Sequence, residues 1–319
     1  MKKILVTGGL GQIGTELSIE LCKRYGNDNV LITDISDEIP QSLSNVAYQS
    51  LDVLDRASIE NIIINFKPDA IFHMAAILSA TGESDPVFCW NVNMNGTLNI
   101  LDLSVKHKIE KIFLPSSIAV WGHGAPLINT PQESILKPTT MYGVTKVAGE
   151  VLSDYFFDKY KLDIRGIRYP GIISSETLPG GGTTDYAVEI FYEAVKYKKY
   201  TCFLNEDSTL PMMYMPDCID ATIGLMEANL ERLKHHSDFN LSAMSFNPAE
   251  LAVAIKKIIP EFIIEYKPDF RQEIANSWPR SIDDSAARRE WDWSPKYDID
   301  MMSENMIEKL TAKHNKGLI

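Results

Sequence analysis

Three glycines near the start of the chain constrain its fold more than any other feature. Residues 4–7 are apolar and strand-like, residues 15–25 have a helical pattern, and Gly8, Gly11 and Gly14 lie between them. In a strand-to-helix turn, such glycines permit a tight turn, close approach of a backbone to a pyrophosphate, and packing of helix on strand. The cluster therefore predicts a dinucleotide site at a helix N-terminus.

A carboxylate ends the second predicted strand. Asp34 follows four strand-like residues, at the distance from the glycines where an acidic side chain holds the adenosine ribose hydroxyls. Because a carboxylate repels a 2′-phosphate, the pattern predicts NAD rather than NADP. Gln12 and Ile13, inside the glycine turn, are expected to contact the same cofactor. Asp52 and Val53, after the third strand, are predicted to cover the adenine, although an aspartate there is more often a turn former.

The first half of the chain alternates short apolar runs with longer helical ones, which is typical of a parallel sheet covered on both faces. The predicted strands are residues 4–7, 30–33, 46–49, 70–73, 111–115 and 163–168, and the longest predicted helices are residues 86–106 and 140–160. The fold class predicted is α/β, a Rossmann-type doubly wound parallel sheet with a smaller C-terminal α/β substrate-binding cap.

The cap is predicted to begin where the alternation ends, after Gly171. Its predicted elements are helices near 185–198 and from 217, strands near 200–204 and 238–241, and a last helix–strand pair at 247–266. Residues 1–171 are therefore interpreted as the NAD-binding domain, with later returning segments near 205–245. Residues 172–319 are interpreted mainly as the substrate-binding cap.

Composition excludes several classes of function. A net charge of −12 disfavours nucleic acid, whose binding is driven by clustered basic residues. The four cysteines are far apart and the six histidines have no ligand spacing, so no metal site is predicted. No segment approaches the roughly 20 apolar residues of a membrane span, and the apolar run at the N-terminus is too short for a signal peptide. We therefore expect no membrane association and a cytoplasmic protein.

A tyrosine and a lysine four residues apart are the candidate catalytic pair. Tyr142 and Lys146 share one face of a helix beginning near Thr140. Oxidation of an alcohol needs a base for the hydroxyl proton, and a phenol of pKa about 10 becomes one when a nearby cation lowers its pKa. Such pairs arise often by chance, but Ser116 and Ser117 end a predicted strand about twenty-five residues upstream, where a hydroxyl can orient the reacting oxygen.

With these motifs the chain resembles an extended short-chain dehydrogenase/reductase of the sugar-nucleotide epimerase superfamily. The resemblance implies that Ser117 is the catalytic serine, Tyr142 the general base, and Lys146 the residue that lowers its pKa and holds the nicotinamide ribose. It further implies that Ala75 and Ala76 line the cofactor, that Asn93 supports the site, and that Tyr169 ends a strand reaching the nicotinamide. For Asn93, a hydrogen-bonded core asparagine is the favoured interpretation.

Later stretches narrow the substrate. Where epimerases carry an arginine that grips a nucleotide diphosphate, residues 210–217 (LPMMYMPD) are apolar, and Met212 and Met213 suggest a small pocket with apolar walls. That stretch, residues 178–187 (LPGGGTTDYA) and residues 277–280 (SWPR) resemble short-chain-type L-threonine 3-dehydrogenases. The resemblance implies oxidation of L-threonine at its 3-hydroxyl to 2-amino-3-oxobutanoate.

A threonine zwitterion needs a carboxylate site and an ammonium site. Thr183 and Thr184 suit the carboxylate, Asp185 offers the ammonium a counter-charge if its side chain turns inward, and Ser79 is expected to reach the same pocket. The alternative is that residues 180–185 form a flexible loop with a helix cap. Both interpretations are compatible with a loop that closes over substrate.

The sequence is also compatible with two other functions. A sugar-nucleotide epimerase or dehydratase uses bound NAD without net release of NADH, and a dinucleotide-sensing regulator of the same fold performs no catalysis. The missing arginine disfavours the first, and the tyrosine–lysine pair disfavours the second. The helices at 86–106 and 140–160 resemble the usual dimer-forming pair of the superfamily, so a homodimer is expected.

Overall fold

A computed structural model of the chain describes residues 1–178 and 182–319. Of the predicted glycine run 180–182, only Gly182 lies within the described residues. The strands are β1 Ile4–Thr7, β2 Val30–Asp34, β3 Ala47–Ser50, β4 Ala70–His73, β5 Lys111–Phe113, β6 Ser116–Ser117, β7 Asp163–Arg165, β8 Ile167–Tyr169, β9 Gly171–Ile173, β10 Lys199–Cys202, β11 Leu210–Tyr214, β12 Phe239–Asn240, β13 Met244–Phe246 and β14 Ile263–Tyr266.

The helices cover about half of the remaining described residues. They are α1 Gln12–Tyr25, α2 Arg56–Phe66, α3 Ser79–Ser84, α4 Pro86–Trp90, α5 Gly96–His107, α6 Met141–Tyr160, α7 Tyr186–Tyr197, α8 Met215–Glu227, α9 Pro248–Ile258, α10 Arg271–Asn276, α11 Ser285–Trp291 and α12 Ile299–Asn315. None of these described helices is long and apolar enough to cross a membrane.

Six strands form a central parallel sheet in the order β3-β2-β1-β4-β5-β7. The strand order reverses at β1 and β4, which is the doubly wound arrangement in which a dinucleotide binds at the carboxyl ends of the strands. The predicted fold class is therefore confirmed. The glycine turn follows β1, at this reversal.

One predicted strand is two strands in the structure. Residues 163–168 divide at Gly166 into β7, which pairs with β5, and β8, which pairs with β6 and β12. A Cβ at Gly166 would lie 2.4 Å from the Ser237 carbonyl oxygen and 2.5 Å from that of Leu114. Because Gly166 has no side chain, the backbone can pass between these two carbonyls as it leaves one sheet and enters the next.

The long helix predicted at 86–106 contains an irregularity that its sequence pattern does not reveal. Between α4 and α5, residues Asn91–Asn95 form a π-helical turn. Such turns insert one residue into a helix and occur frequently at functional sites. The turn rotates Asn93 into the interior, where it is 6% exposed.

The end of the chain departs from the prediction that residues 247–266 supply the last elements. Helices α10, α11 and α12 follow β14. In α12, Met302, Met306 and Leu310 are fully buried at a spacing of four residues, and they join the core formed with α7 and α9. Asp298 caps this helix by accepting from the Met301 N–H. The mainly polar composition of α12 obscures this narrow apolar stripe.

Candidate active site

The glycine turn brings backbone close to backbone. Gly8 has φ of +65°, and a Cβ there would lie 2.4 Å from the Ala75 nitrogen. A Cβ at Gly14 would lie 2.1 Å from the Gly8 carbonyl oxygen. Helix α1 begins at Gln12, so its free N–H groups face the space that these glycines leave open.

A groove of about 1,120 Å³ runs along the carboxyl ends of the strands from this turn, and we call it the cofactor groove. Its walls include many predicted cofactor residues: Gly8, Gly11, Gln12, Ile13, Gly14, Ala76, Tyr142, Lys146 and Tyr169. The buried Gln12 Nε2 has no hydrogen-bond partner among the described residues. The glycine turn, the helix N-terminus and this unpartnered donor together fit a dinucleotide.

The carboxylate of Asp34 lies beside the glycine turn. Its oxygens accept from the Leu10 N–H at 3.0 Å and from the Ser36 N–H at 3.2 Å. Asp52 instead accepts from the Leu54 N–H at 2.8 Å, which is the contact of a turn former. Val53 is buried against the start of α5: a Cβ added at Gly96 would lie 2.8 Å from the Val53 side chain. Asp34, Asp52 and Val53 all lie outside the walls that the described residues give the groove.

The side chain of Asn93 ties three segments together. Its Oδ1 accepts from the Ile77 N–H at 2.8 Å, and its Nδ2 donates to the Ile77 carbonyl at 3.0 Å and to the Thr145 hydroxyl at 3.1 Å. Thr145 in turn donates to the Tyr142 carbonyl at 2.7 Å. The side chain thus joins the segment after β4 to α6 and has the contacts of a supporting core residue. Ala75 lies behind the groove, with its N–H facing Gly8.

Helix α6 carries the tyrosine and lysine into the groove. Thr140 caps it by accepting from the Gly143 N–H. A Cβ at Gly143 would lie 2.2 Å from the Ala119 carbonyl oxygen, so this glycine permits the helix to approach the segment that follows β6. The Lys146 Nζ donates to the Pro115 carbonyl at 2.8 Å and lies 5.3 Å from the centroid of the Tyr142 ring.

The two serines of β6 face opposite ways, as the pleat of a strand requires. Ser117 lines the same cavity as Tyr142. Ser116 donates to the Glu150 carboxylate at 2.5 Å, on the other side of the strand. Ser116 also lines the cofactor groove with Tyr142. Of the two serines, Ser117, the one predicted to be catalytic, is the one whose side chain interacts with the Tyr142 phenol.

Burial dominates the titration of this site. It raises the pKa of Tyr142 to about 12, and the hydrogen bond with Ser117 opposes that rise. Burial lowers the pKa of Lys146 to about 8. The pKa of the adjacent His73 falls to about 3, first because of burial and then because of the Lys146 charge. Without a ligand, the tyrosine is therefore a neutral phenol at pH 7.

A second cavity of about 110 Å³, which we call the inner cavity, adjoins the cofactor groove and shares Gln12, Ile13, Tyr142 and Tyr169 with it. Its walls contain every predicted substrate residue: Ser79, Ser117, Tyr142, Thr183, Thr184 and Asp185. The Ser79 and Thr183 hydroxyls lie 3.3 Å apart. The Asp185 Oδ2 accepts from the Gly182 N–H at 2.6 Å.

The expected apolar walls at Met212 and Met213 are not found. Both side chains are fully buried in the cores and lie outside the inner-cavity lining that the described residues form. Met212 backs the cavity instead: a Cβ at Gly171 would lie 2.4 Å from its sulfur and 2.8 Å from the Thr184 Cβ. Gly171 thus permits Thr184 and β11 to approach β9.

A buried ion pair supports the site and has no counterpart among the predicted residues. Glu150, one helical turn beyond Lys146, accepts from Arg168 Nη2 at 2.7 Å and Nε at 2.9 Å. Both side chains are no more than 5% exposed. Burial raises the pKa of Glu150, which the Arg168 guanidinium opposes. The available signal was an arginine within an apolar strand and a glutamate at helical spacing after the lysine.

Known proteins resemble the chain closely over its whole length. The model of the "NAD dependent epimerase/dehydratase family" matches residues 4–242. An uncharacterised epimerase/dehydratase of Staphylococcus saprophyticus is 48% identical over 98% of both chains. L-threonine dehydrogenase from Clostridium difficile is 47% identical, with a TM-score of 0.96 over 98% of both chains. A monomeric L-threonine 3-dehydrogenase from a metagenome is 48% identical, with a TM-score of 0.93 over 97% of this chain and 99% of that one.

These similarities agree with the site's geometry. The resemblance proposed from sequence motifs is confirmed, the chain is an oxidoreductase that uses a nicotinamide dinucleotide, and its substrate is a small molecule. The chain belongs to the NAD dependent epimerase/dehydratase family.

Proposed function

We propose that this chain oxidises the 3-hydroxyl of L-threonine to 2-amino-3-oxobutanoate with NAD as the oxidant. The observation that carries the proposal is the inner cavity, in which Ser117 and Tyr142 share a wall with Ser79, Thr183 and Asp185. A volume of about 110 Å³ suits a small zwitterion and lies well below the roughly 300–1,000 Å³ of sites for larger ligands. Similar structures bearing the name L-threonine dehydrogenase support the same substrate.

Three residues of the chain have separate roles in the proposed reaction. Tyr142 takes the proton of the threonine hydroxyl, and Ser117 holds the oxygen that loses it. Lys146, anchored on the Pro115 carbonyl, holds the nicotinamide ribose and adds positive charge near the phenol. When bound, the oxidised dinucleotide supplies the hydride acceptor and a second positive charge. Because burial raises the pKa of Tyr142 to about 12, both charges are needed to favour its phenolate at neutral pH.

The amino and carboxyl groups of threonine are assigned to the other polar residues that line the inner cavity. Ser79 and Thr183 present hydroxyl donors to the carboxylate, together with Thr184 beside the start of α7. Asp185 presents the counter-charge to the ammonium. Its carboxylate also accepts from the Gly182 N–H, which holds the side chain at the wall of the inner cavity.

The distinguishing experiment compares substrates. We expect net NADH formation with L-threonine and none with UDP-sugars. A sugar-nucleotide epimerase would form no net NADH from either, because it does not act on L-threonine and returns the hydride to its sugar substrate. Strand β11, which replaces the epimerase arginine stretch, is buried throughout and contains no basic residue. Absence of NADH formation with L-threonine would contradict the proposed function. A purely sensing role is disfavoured because Tyr142 and Lys146 both line the cofactor groove.

We also propose that the chain prefers NAD to NADP because of Asp34. Replacing Asp34 with asparagine is expected to reduce the ratio of kcat/KM for NAD to that for NADP by about tenfold or more, since about 1.4 kcal/mol of repulsion corresponds to a factor of ten. The ratio is measured with L-threonine at saturation. Asp52→Asn is the matched control, because it removes another carboxylate that follows a strand of the same sheet. An unchanged ratio in Asp34→Asn would reject the role of this charge.

A homodimer is proposed through the outer faces of α4, α5 and α6. Their exposed apolar side chains include Val87, Trp90, Leu98, Val151 and Tyr155. A groove beside them on α6 has almost wholly apolar walls, formed by residues such as Met94, Val147 and Leu152. An exposed apolar face of this size favours association. Because each chain has a net charge of −12, two copies repel each other, and this repulsion is weakest where the contacting faces carry no charges.

The test of this dimer is a charge within the apolar face. Val151→Asp is expected to convert a dimer into a monomer, because an aspartate buried in the interface loses hydration without a partner. Sedimentation velocity measures the change. Val253→Asp is the control, since Val253 is an equally exposed valine, at 60%, on α9. A monomeric wild-type protein, as described for the metagenome enzyme, would overturn the proposal.

We also propose which parts of the chain bind the dinucleotide and which bind the substrate. We assign dinucleotide binding to residues 1–171 and substrate binding mainly to residues 172–319, with returning segments near 205–245. Two contacts support the returning segments: β12 pairs with β8, and α8 packs against α1.

A further inference from the structure

The short helix α3 begins at the inner cavity and ends at the helix that carries the catalytic candidates. Its first residue, Ser79, is buried and lines the inner cavity. One helical turn later, the Glu83 carboxylate accepts from the Met141 N–H at 2.8 Å. Met141 is the first residue of α6, and Tyr142 follows it. Residues four apart on a helix share a face, so one face of α3 joins a wall of the inner cavity to the backbone beside the proposed base.

Helix α3 is itself held in place by its neighbours. A Cβ at Gly82 would lie 2.8 Å from the Cys89 sulfur, so α3 packs closely on α4. The Gly82 N–H donates to the Leu78 carbonyl at 2.7 Å. Ile77, just before α3, is fixed through its N–H and its carbonyl by the side chain of Asn93. The end of α3 therefore offers α6 a fixed point of attachment.

Tyr142 lies between two hydrogen bonds that join α6 to the segment at residues 77–83. One is the bond of Glu83 to the N–H of the residue before Tyr142. The other involves Thr145, three residues after it, whose hydroxyl accepts from Asn93 Nδ2 at 3.1 Å. Because Asn93 also holds the start of the segment, both ends of the segment are attached to α6 on either side of the phenol.

Helix capping alone does not account for the contact of Glu83. Thr140 already caps α6 by accepting from the Gly143 N–H. Met141 is partly exposed, so water can satisfy its N–H when no side chain does. An exposed carboxylate at a helix N-terminus contributes only modestly to stability. We expect a larger effect on geometry, because a misplacement of about 1 Å in an active site can reduce the rate about a hundredfold.

We infer that Glu83 is a positioning residue for the proposed oxidation and that it acts through the Met141 N–H. By holding the start of α6 against α3, it fixes the Tyr142 phenol relative to the Ser79 wall, where the polar groups of the substrate bind. Glu83 itself lies outside the linings that the described residues give to the cofactor groove and the inner cavity. The inference rests on the proposed function, which supplies the substrate.

Two variants of similar side-chain length test this inference. Glu83→Met removes the acceptor, whereas Glu83→Gln keeps an oxygen that accepts from the Met141 N–H. With saturating NAD and L-threonine, we expect the first-turnover rate of NADH formation to fall about tenfold or more in Glu83→Met and to stay within about threefold of wild type in Glu83→Gln. Stopped-flow absorbance measures this rate. The dissociation constant for NADH is expected to change less than about twofold in both variants.

Asp55→Ala is the matched control. The Asp55 side chain accepts from the Ala57 and Ser58 N–H groups at the start of α2, which contributes no described residue to the lining of either cavity. Like Glu83→Met, it removes a side-chain acceptor from a helix N-terminus, but its first-turnover rate is expected to equal that of wild type. An unchanged rate in Glu83→Met, an equal fall in Glu83→Gln, or a parallel loss of NADH affinity would overturn the inference.

A measurement that needs no turnover separates this inference from the proposed function. Amide hydrogen exchange at Met141 is expected to be about threefold or more slower in wild type and Glu83→Gln than in Glu83→Met, because a bonded N–H is protected. Mass spectrometry with fragmentation to single residues measures it. Equal exchange in wild type and Glu83→Met would overturn the inference. If wild-type protein forms no NADH from L-threonine although the exchange rates differ as expected, the proposed function is what fails.

Discussion

Tyr142→Phe is expected to lower kcat for L-threonine oxidation by about a hundredfold to ten-thousandfold, the range for loss of general base catalysis. The variant keeps the ring and its packing beside Lys146 but cannot accept the hydroxyl proton. The affinity for the dinucleotide is expected to remain within about threefold of wild type, because the phenol oxygen carries the chemistry and the groove walls carry the binding. NADH absorbance measures turnover, and titration calorimetry measures cofactor binding.

The control for this variant lies on the same helix. Tyr155→Phe removes a phenol that is 50% exposed on the outer face of α6, and it is expected to leave kcat unchanged. If Tyr142→Phe retained wild-type turnover, another group would have to be the base. If it lost dinucleotide binding as well, the defect would be in assembly of the site and not in proton transfer.

Breaking the buried pair between Glu150 and Arg168 is expected to cost about 3–5 kcal/mol of the free energy of unfolding, because one charge remains buried without its partner. Glu150→Met leaves Arg168 facing an apolar side chain, and it also removes the acceptor of the Ser116 hydroxyl. Because Ser116 adjoins Ser117 and Glu150 follows Lys146 by one turn, we expect activity to fall in the fraction that remains folded. Urea unfolding measures the change in the free energy of unfolding. The dependence of that free energy on urea concentration, the m-value, is expected to stay the same.

Two further variants make this test specific. Glu150→Met combined with Arg168→Met is expected to lose less stability than the sum of the single variants, since no unpaired charge remains. Full recovery is not expected, because Arg168 also donates to the Gln132 carbonyl and to Asn240 Oδ1 at 3.0 Å. Lys257→Met, which breaks an ion pair whose side chains are 57% and 49% exposed, is expected to cost about 1 kcal/mol or less. Strict additivity at the buried pair would argue against direct coupling.

Local patterns were sufficient to predict much of the fold and the centre of the site. Five of the six strands of the main sheet lie within a residue or two of their predicted positions, because each is a short apolar run between turn residues, whereas the strand predicted at 163–168 is divided in two. The catalytic candidates were also accessible, since Tyr142 and Lys146 are related by helical spacing and Ser117 ends a strand. In each case the signal lies within about twenty residues of chain.

The features that were not predicted depend on contacts between distant segments. The exchange of sheets at Gly166 is set by carbonyls from residues 114 and 237, and the π-helical turn around Asn93 is held by Ile77 and Thr145. The expected pocket walls at Met212 and Met213 were wrong for the same reason. An apolar stretch indicates burial, but only packing decides whether a residue faces a cavity or a core.

The sequence by itself therefore determined the alternation of strands and helices in the first half of the chain, the glycine turn and the residue types available for chemistry, because these follow from backbone conformation and short-range periodicity. Only the tertiary structure decided which side chains share a cavity. It separated Ser117 from Ser116, paired Glu150 with Arg168, and brought Ser79 beside Thr183, about a hundred positions later in the chain. Burial, which raises the pKa of Tyr142, is a property of the packed molecule and has no local signature in the sequence.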